Sequence, residues 1–230
     1  MVERELRWVP AFRLVAGRFP HLALFERVAD PVDWELLIAL ESLTDPGLRQ
    51  ESGAISLVPP EDRVSNPGAP VIMAPFTHLN PEGSRFADAQ SGALYAANTL
   101  ETAITETKHH REHFLRATLE PPTEIELSCY LLDIVGSFHD LRDAPKQNTD
   151  LRYADVMSPT SYVASRALVR KLRAAGSNGI CYLSVRRAGG ECLAVFRPRL
   201  VSHARPTRQL RFIWNGERIA SIYELRLLDA

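Results

Sequence analysis

Gly92-Ala93-Leu94-Tyr95-Ala96-Ala97-Asn98-Thr99-Leu100-Glu101-Thr102-Ala103-Ile104-Thr105-Glu106 is where the chain changes its period. Leu94-Tyr95-Ala96-Ala97 has the apolar content and brevity of a buried strand. Asn98 then reads as a helix cap, with Glu101 three residues on completing a capping box. Leu100, Ala103, Ile104 and Thr107 recur at helical spacing and make an inner face. Glu106 sits beside that face, at the rim of the interior. A strand running straight into a capped helix is the unit around which the rest of the chain is read.

Downstream, Ile125 to Asp133 reads as a strand and the polar stretch from Asp140 to Asp155 as a loop. Ser158-Pro159 opens a helix that runs to about Ala175 and stops at Gly176. Its core stripe is Val163, Ala167, Leu168 and Leu172, with Arg166, Arg170, Lys171 and Arg173 elsewhere. Ile180–Val185 and Cys192–Phe196 flank Ala188-Gly189-Gly190, a hairpin signal. Phe212-Ile213-Trp214 and Arg218–Tyr223 flank Asn215-Gly216, a stronger one. Upstream, Arg7-Trp8-Val9-Pro10 leads into a short strand at Phe12–Val15, and Asp30-Pro31-Val32-Asp33 starts a helix with Trp34, Leu37, Ile38 and Leu40 on its apolar side. Seven of the 16 prolines fall between Pro46 and Pro81, with Asn66-Pro67-Gly68 as a turn and Val71-Ile72-Met73 as a short strand. Such a connection suits the covering of a site or contact with a partner. Strands outnumber helices and several are hairpin-linked, so the class is α+β with a mixed or largely antiparallel sheet.

The chain has 230 residues, 45% apolar and 24% charged, which suits one domain from 1 to 230 with an insertion at about 46–81. A net charge of -1 gives no global pull toward nucleic acid or an anionic membrane. Met1-Val2-Glu3-Arg4-Glu5-Leu6-Arg7 has acids and no apolar region of a secretory signal, and no apolar run reaches the length of a membrane span. Cys129, Cys181 and Cys192 form no C-x-x-C pair. They read as buried free thiols in a reducing cytoplasm, which argues against structural zinc and a disulfide framework.

Arg85, Tyr95 and Glu106 follow one another at intervals of ten and eleven residues. A guanidinium suits bidentate contact with phosphate. An electron-rich ring face attracts a cationic ring. A carboxylate stabilises positive charge at a ribose in an oxocarbenium-like state, as in glycoside hydrolysis. Together they suit NAD, whose nicotinamide is already cationic and leaves without a general acid. On spacing alone the plainer reading is stronger: Arg85 a loop cation, Tyr95 a core aromatic and Glu106 a solvated helix acid.

His109-His110-Arg111-Glu112-His113 matches H-x-x-E-H, the inverted zinc-peptidase helix pattern, with His109 and His113 one turn apart. No acid downstream stands out as a third ligand, and a polar helix end rich in His is the plainer reading. No G-x-G-x-x-G follows a strand, and neither a Walker A sequence nor G-x-S-x-G occurs. Arg197, Arg199, Arg205, Arg208 and Arg211 read as a solvated face more than as a nucleic-acid stripe.

Taken in order, these segments resemble the RES-domain family, toxins of bacterial Xre–RES toxin–antitoxin pairs, whose name records an Arg, a Glu and a Ser. Gly83-Ser84-Arg85-Phe86 resembles the family's G-[GS]-R-[WF], and Ser91-Gly92-Ala93-Leu94-Tyr95-Ala96-Ala97 its following G-x-x-x-Y-x-A. Glu101-Thr102-Ala103-Ile104-Thr105-Glu106 resembles its E-T-A-x-x-E helix. Tyr162–Leu168 and Gly179–Arg186 resemble its Y-x-x-S-x-x-L and G-I-x-Y-x-S-x-R, and Phe12-Arg13-Leu14 its early [YF]-R-[IL]. The ordered set, from about residue 8 to 200, is more specific than any piece.

The resemblance implies a fold similar to ADP-ribosyltransferase toxins: a split mixed β-sheet around an NAD cleft, with flanking helices and hairpins. It implies NAD as substrate, no metal, and either NAD degradation or transfer of ADP-ribose. The longer form here looks closest to the ParT-like branch, whose acceptor is a protein, with ribose-phosphate diphosphokinase as the example. It implies that Arg85 and Arg13 bind NAD phosphate or ribose, that Tyr95 packs on nicotinamide and that Glu106 is the catalytic carboxylate. Ser184 would orient the ribose or Glu106, with Arg186 and Tyr162 as neighbours. The partner implied is a cytoplasmic helix-turn-helix antitoxin of the Xre type that covers the cleft. Phe86-Ala87 stands where the family usually has Trp-Asn, a change expected to bear on the nicotinamide pocket.

Overall fold

A computed structural model describes residues 1–16, 54–143 and 153–226. The strands are β1 (Val2–Ala16), β2 (Leu94–Ala97), β3 (Thr123–Asp140), β4 (Gly179–Leu183), β5 (Glu191–Val195), β6 (Val201–Trp214) and β7 (Ile219–Leu225). The helices are α1 (Ala69–Thr77), α2 (Leu100–Ala117), α3 (Tyr153–Val156) and α4 (Val163–Ala174). The class is α+β with a mixed sheet, as expected.

The seven strands run β1-β2-β5-β4-β3-β6-β7, and β1 also pairs with β3, so the first five close into a ring. β3 is the shared element and the place where the sheet splits. Its first part is antiparallel to β6. Its last residues, His139 and Asp140, lie parallel to Ile180 and Cys181 of β4.

Side-chain parity explains the apolar runs of the central hairpin. In β5, Leu193 and Val195 point into the ring with Leu94 and Ala96 of β2, Cys181 of β4 and Leu132, Ile134 and Phe138 of β3. Cys192 and Ala194 point to the other face, with Ala93, Ile180 and Tyr182, against α3 and α4. Strands buried on both faces lose the alternation of a half-exposed strand. The same parity places Tyr95 with Tyr182 and Cys192 on the outer face of the ring. α2 lies with Leu115 against Leu127, Leu210, Phe212 and Trp214 of β3 and β6 in a third cluster. Trp214 is sealed there, its indole N–H donating to the Glu120 carbonyl at 2.9 Å.

Both predicted hairpins form, β4–β5 and β6–β7. Several elements differ from expectation. Val71-Ile72-Met73 belongs to α1, not to a strand. Gly68, in the left-handed region at φ 85°, stands before it, Pro70 falls in its first turn, and Ile72, Met73 and Phe76 enter the ring core. The described part of the proline-rich connection therefore supplies core. β1 and β3 are 15 and 18 residues long, far beyond Phe12–Val15 and Ile125–Asp133, because they pair with each other from Val2↔Asp140 to Ala16↔Leu127. Tyr153–Val156 is helical within the expected loop. The cap of α2 is Thr99, whose hydroxyl accepts from the Thr102 amide at 3.2 Å. Asn98 is engaged across the sheet instead, its Oδ1 accepting from the Glu191 amide at 3.2 Å.

α4 starts at Val163, later than Ser158, and Val163 is 78% exposed while Ser165, Val169 and Leu172 are buried. The stripe is rotated because two arginines turn inward. Arg166 and Arg173 donate to backbone carbonyls of the 82–92 segment, and Arg173 stacks on Phe196 at 4.1 Å. The helix start at Asp30-Pro31 lies outside the described residues.

The three cysteines are buried free thiols. The C-terminal arginines form a solvated, ion-paired face: Arg199 with Asp62, Arg205 with Asp133, Arg208 with Glu224, and Arg211 with Glu124 and Glu126. Among the described residues no helix is long and apolar enough to cross a membrane.

Candidate active site

Gly83 begins the site. Its φ is 66°, and a Cβ there would meet the Ala87 carbonyl oxygen at 2.7 Å, so the turn into Ser84-Arg85 requires glycine. The turn is then tied from two sides. The Tyr95 hydroxyl bonds Ser84 Oγ at 2.7 Å and accepts the Phe86 amide at 2.9 Å. From α4, Arg166 donates to the Ser84 carbonyl at 3.0 Å and to the Glu82 carbonyl at 2.5 Å. With its hydroxyl anchored, the Tyr95 ring has a fixed orientation. Burial raises its pKa above the ordinary value, keeping it a neutral phenol.

Arg85 is buried, with 7% exposure. Its Nη1 donates to the carbonyls of Val156 (3.2 Å) and Ser158 (2.8 Å), and its guanidinium lies 4.9 Å from the Tyr162 ring centre. Arg166 lies 5.7 Å from the same ring, so Tyr162 is flanked by two cations. Neither arginine has a carboxylate partner among the described ion pairs. Arg13, from β1, donates to the Tyr95 carbonyl at 3.0 Å, and its Nε is buried without a partner. Burial brings the Arg13 guanidinium down to about 10, still a cation at neutral pH.

A further part of the site is built by α2 and the β4–β5 turn. Gly190 of that turn packs so close to α2 that a Cβ would meet the Thr102 side chain at 2.8 Å. This approach brings Ser184, just after β4, to Glu106. Ser184 Oγ accepts the amides of Arg186 (3.1 Å) and Arg187 (2.9 Å), so its proton is directed at Glu106 Oε1, 2.6 Å away. Oε1 also lies 3.9 Å from Cys192 Sγ, a contact too long and weak to organise the site.

Arg13, Arg85, Tyr95, Glu106, Tyr162 and Arg186 line one open cleft, and Ser184 stands behind Glu106. All the residues singled out for NAD thus come together. Phe86 does not line the cleft: it is fully buried beneath it, edge-on to Tyr182 at 4.9 Å. Its aromatic bulk packs against Tyr182, which does line the cleft, so any effect of the Phe86-Ala87 change on the pocket is indirect.

Two residues were missed. Arg166 lies off the core stripe in the sequence reading, yet it holds the Arg85 turn. His110 lines the cleft one helical turn beyond Glu106. Its i,i+4 spacing from Glu106 was the signal for the second, and nothing local marked the first.

The zinc-peptidase alternative does not survive the geometry. Glu112 Oε1 accepts the Ile219 amide at 2.8 Å and Oε2 pairs with Arg116 at 3.3 Å, so this carboxylate pins β7 to α2. Among the described residues no three His, Cys, Asp or Glu side chains are grouped to hold a metal ion.

If NAD is the substrate, as the resemblance implies, Ser184→Ala is expected to lower kcat by about tenfold, with smaller change in KM. Hydrogen bonds to charged groups contribute about 1.5–3 kcal/mol, and only part of that is specific to the transition state. Steady-state kinetics beside the wild type checks it; an unchanged kcat would remove Ser184 from the site.

Fold and cleft define an α+β protein in which three arginines, Arg13, Arg85 and Arg186, share a cleft with a serine-held carboxylate. Residues 60–215 match the family model of the RES domain, and the chain belongs to that family. It is 30% identical over 216 residues to "Uncharacterized protein y4oC" of Sinorhizobium fredii (strain NBRC 101917 / NGR234), covering 92% of this chain and 86% of that protein. The solved M. tuberculosis MbcT–MbcA toxin–antitoxin complex contains a chain that aligns with a TM-score of 0.49 at 10% identity, over 93% of this chain and 87% of that one.

Proposed function

We propose that this protein is an NAD-consuming toxin of a toxin–antitoxin pair, which breaks the nicotinamide–ribose bond and transfers ADP-ribose to a cytoplasmic protein. The observation that carries the reading is the 2.6 Å Ser184–Glu106 hydrogen bond, with Glu106 lining the same cleft as Arg13, Arg85 and Tyr95. Membership of the RES-domain family supports it.

In this reading Arg13 and Arg85 hold the diphosphate, for which guanidinium forks are suited. The Tyr95 ring receives the cationic nicotinamide. Ser184 occupies Oε1 of Glu106, leaving Oε2 for a ribose hydroxyl. The bond to nicotinamide breaks with its electron pair going to the ring nitrogen, and the leaving group departs neutral. Positive charge then develops at the ribose, where the Glu106 carboxylate stabilises it. Tyr162 and Arg186 border the same space, and Tyr162 steadies Arg85 through its ring face.

An enzyme of this kind must be silenced in its own cell. A cognate antitoxin of the helix-turn-helix type that covers the cleft is the partner this reading requires. Incubation with NAD labelled in its ADP-ribose half tests the acceptor, with ribose-phosphate diphosphokinase as the first protein to try. Label on a protein band is the expected result. Release of free ADP-ribose and nicotinamide alone would replace transfer by hydrolysis.

A further inference from the structure

Once the ribose carries positive charge, an acceptor oxygen must attack it and lose a proton. The groups lining the cleft differ in their ability to take that proton. Arg13, Arg85 and Arg186 are cations. Tyr95, Tyr182 and Cys192 are pushed up by burial and hold their own protons. Glu106 already receives the Ser184 proton on one oxygen and serves the ribose with the other. Among the described residues of the cleft this leaves His110.

Its position suits the task. His110 follows Glu106 by four residues on α2, so both side chains leave the helix on one face, and both line the cleft. Glu106 is half-buried while His110 is exposed, which places His110 toward the mouth, where an acceptor arrives. The charged and titratable groups around it are Arg186 from the β4–β5 turn, Arg85 from the loop before β2, and His109, Arg111 and His113 on its own helix, the His109 ring edge-on at 5.7 Å between centres. Arg13 of β1 and Glu106 share the same cleft. One edge of the ring is open to solvent, and partial desolvation by the cleft atoms packed on the rest of it, then these cations, lowers the imidazole from its ordinary 6.5, so it is neutral and able to accept a proton at neutral pH.

Resting on the NAD-cleaving reading, we propose that His110 accepts the proton of the attacking acceptor at the mouth of the cleft. The acceptor is a hydroxyl or a water. The C1′–N bond breaks with its pair on nicotinamide, the acceptor oxygen forms the new C1′–O bond, and its proton passes to the imidazole and on to solvent. Neutral His110 is regenerated.

The test is His110→Gln and His110→Asn in the full chain, with nicotinamide release measured against pH and NAD binding measured separately by calorimetry. Two variants guard against a folding defect peculiar to one side chain. General-base catalysis contributes about 10²–10⁴-fold, so kcat is expected to fall by about 10²-fold with KM within about twofold. In the wild type, kcat falls with decreasing pH below 6.5, as His110 becomes protonated. In both variants that acid limb disappears, and added imidazole restores part of the rate. Wild-type kcat with the same acid limb in either variant overturns the proposal, and so does a loss confined to NAD binding. The wild type separates the two levels: a folded wild-type chain that releases no nicotinamide means that the NAD-cleaving reading itself has failed, whatever the His110 variants do.

Discussion

Glu106→Gln is expected to lower kcat for nicotinamide release by about 10³-fold and to leave thermal unfolding unchanged. The carboxamide has the shape of the carboxylate, and its oxygen can still accept the Ser184 hydroxyl that now lies 2.6 Å from Oε1. What disappears is the negative charge. A unit charge about 4 Å from the developing cation, at an effective dielectric constant near 20, contributes about 4 kcal/mol. Each 1.36 kcal/mol is about tenfold in rate, giving about 10³-fold. Steady-state kinetics paired with a melting curve checks both halves. Full activity in a folded variant would show that another group carries the charge.

Arg85→Ala is expected to lower kcat/KM for NAD by about 10³-fold and, unlike the Glu106 variant, to lower stability as well. Two charge-assisted bonds to phosphate contribute about 1.5–3 kcal/mol each. Inside the protein, Arg85 Nη1 satisfies the carbonyls of Val156 and Ser158 and the guanidinium packs on Tyr162. Its removal uncouples α3 from the Ser84–Phe86 turn and leaves carbonyls short of a donor, a cost of about 1–3 kcal/mol. Calorimetric titration with NAD and chemical denaturation separate the two effects. Arg85→Lys should recover charge but not the planar fork, and so only part of the affinity. Unchanged NAD binding in Arg85→Ala would remove it from the substrate site.

The elements legible in the sequence are those whose determinants are local. Asn215-Gly216 marks its turn, and the flanking runs then pair as β6 and β7. It was the family resemblance, not the spacing, that implied one cleft for Arg85, Tyr95, Glu106 and Ser184; the first three line one cleft and Ser184 bonds Glu106. β1 was seen only as Phe12–Val15 because its first half, with Glu3, Arg4, Glu5 and Arg7, is exposed and has no apolar pattern. That half is a strand because residues near 135 lie beside it, which is long-range information. α1 was hidden by its prolines, although Ala69, Ile72, Met73 and Phe76 have helical spacing. The cap of α2 was misplaced by one residue because Asn98 and Thr99 are both good caps, and pairing with Glu191 decides between them. Arg166 looked like a surface cation, since its carbonyl partners on Glu82 and Ser84 are distant in sequence.

The most direct measurement is nicotinamide release from NAD by the purified wild-type chain, freed of any antitoxin, beside Glu106→Gln. Catalytic release by the wild type, absent from the variant, is the predicted result. No release by a folded wild-type chain that binds NAD, or equal release by both, would contradict a cleft in which Glu106 drives cleavage of the nicotinamide–ribose bond.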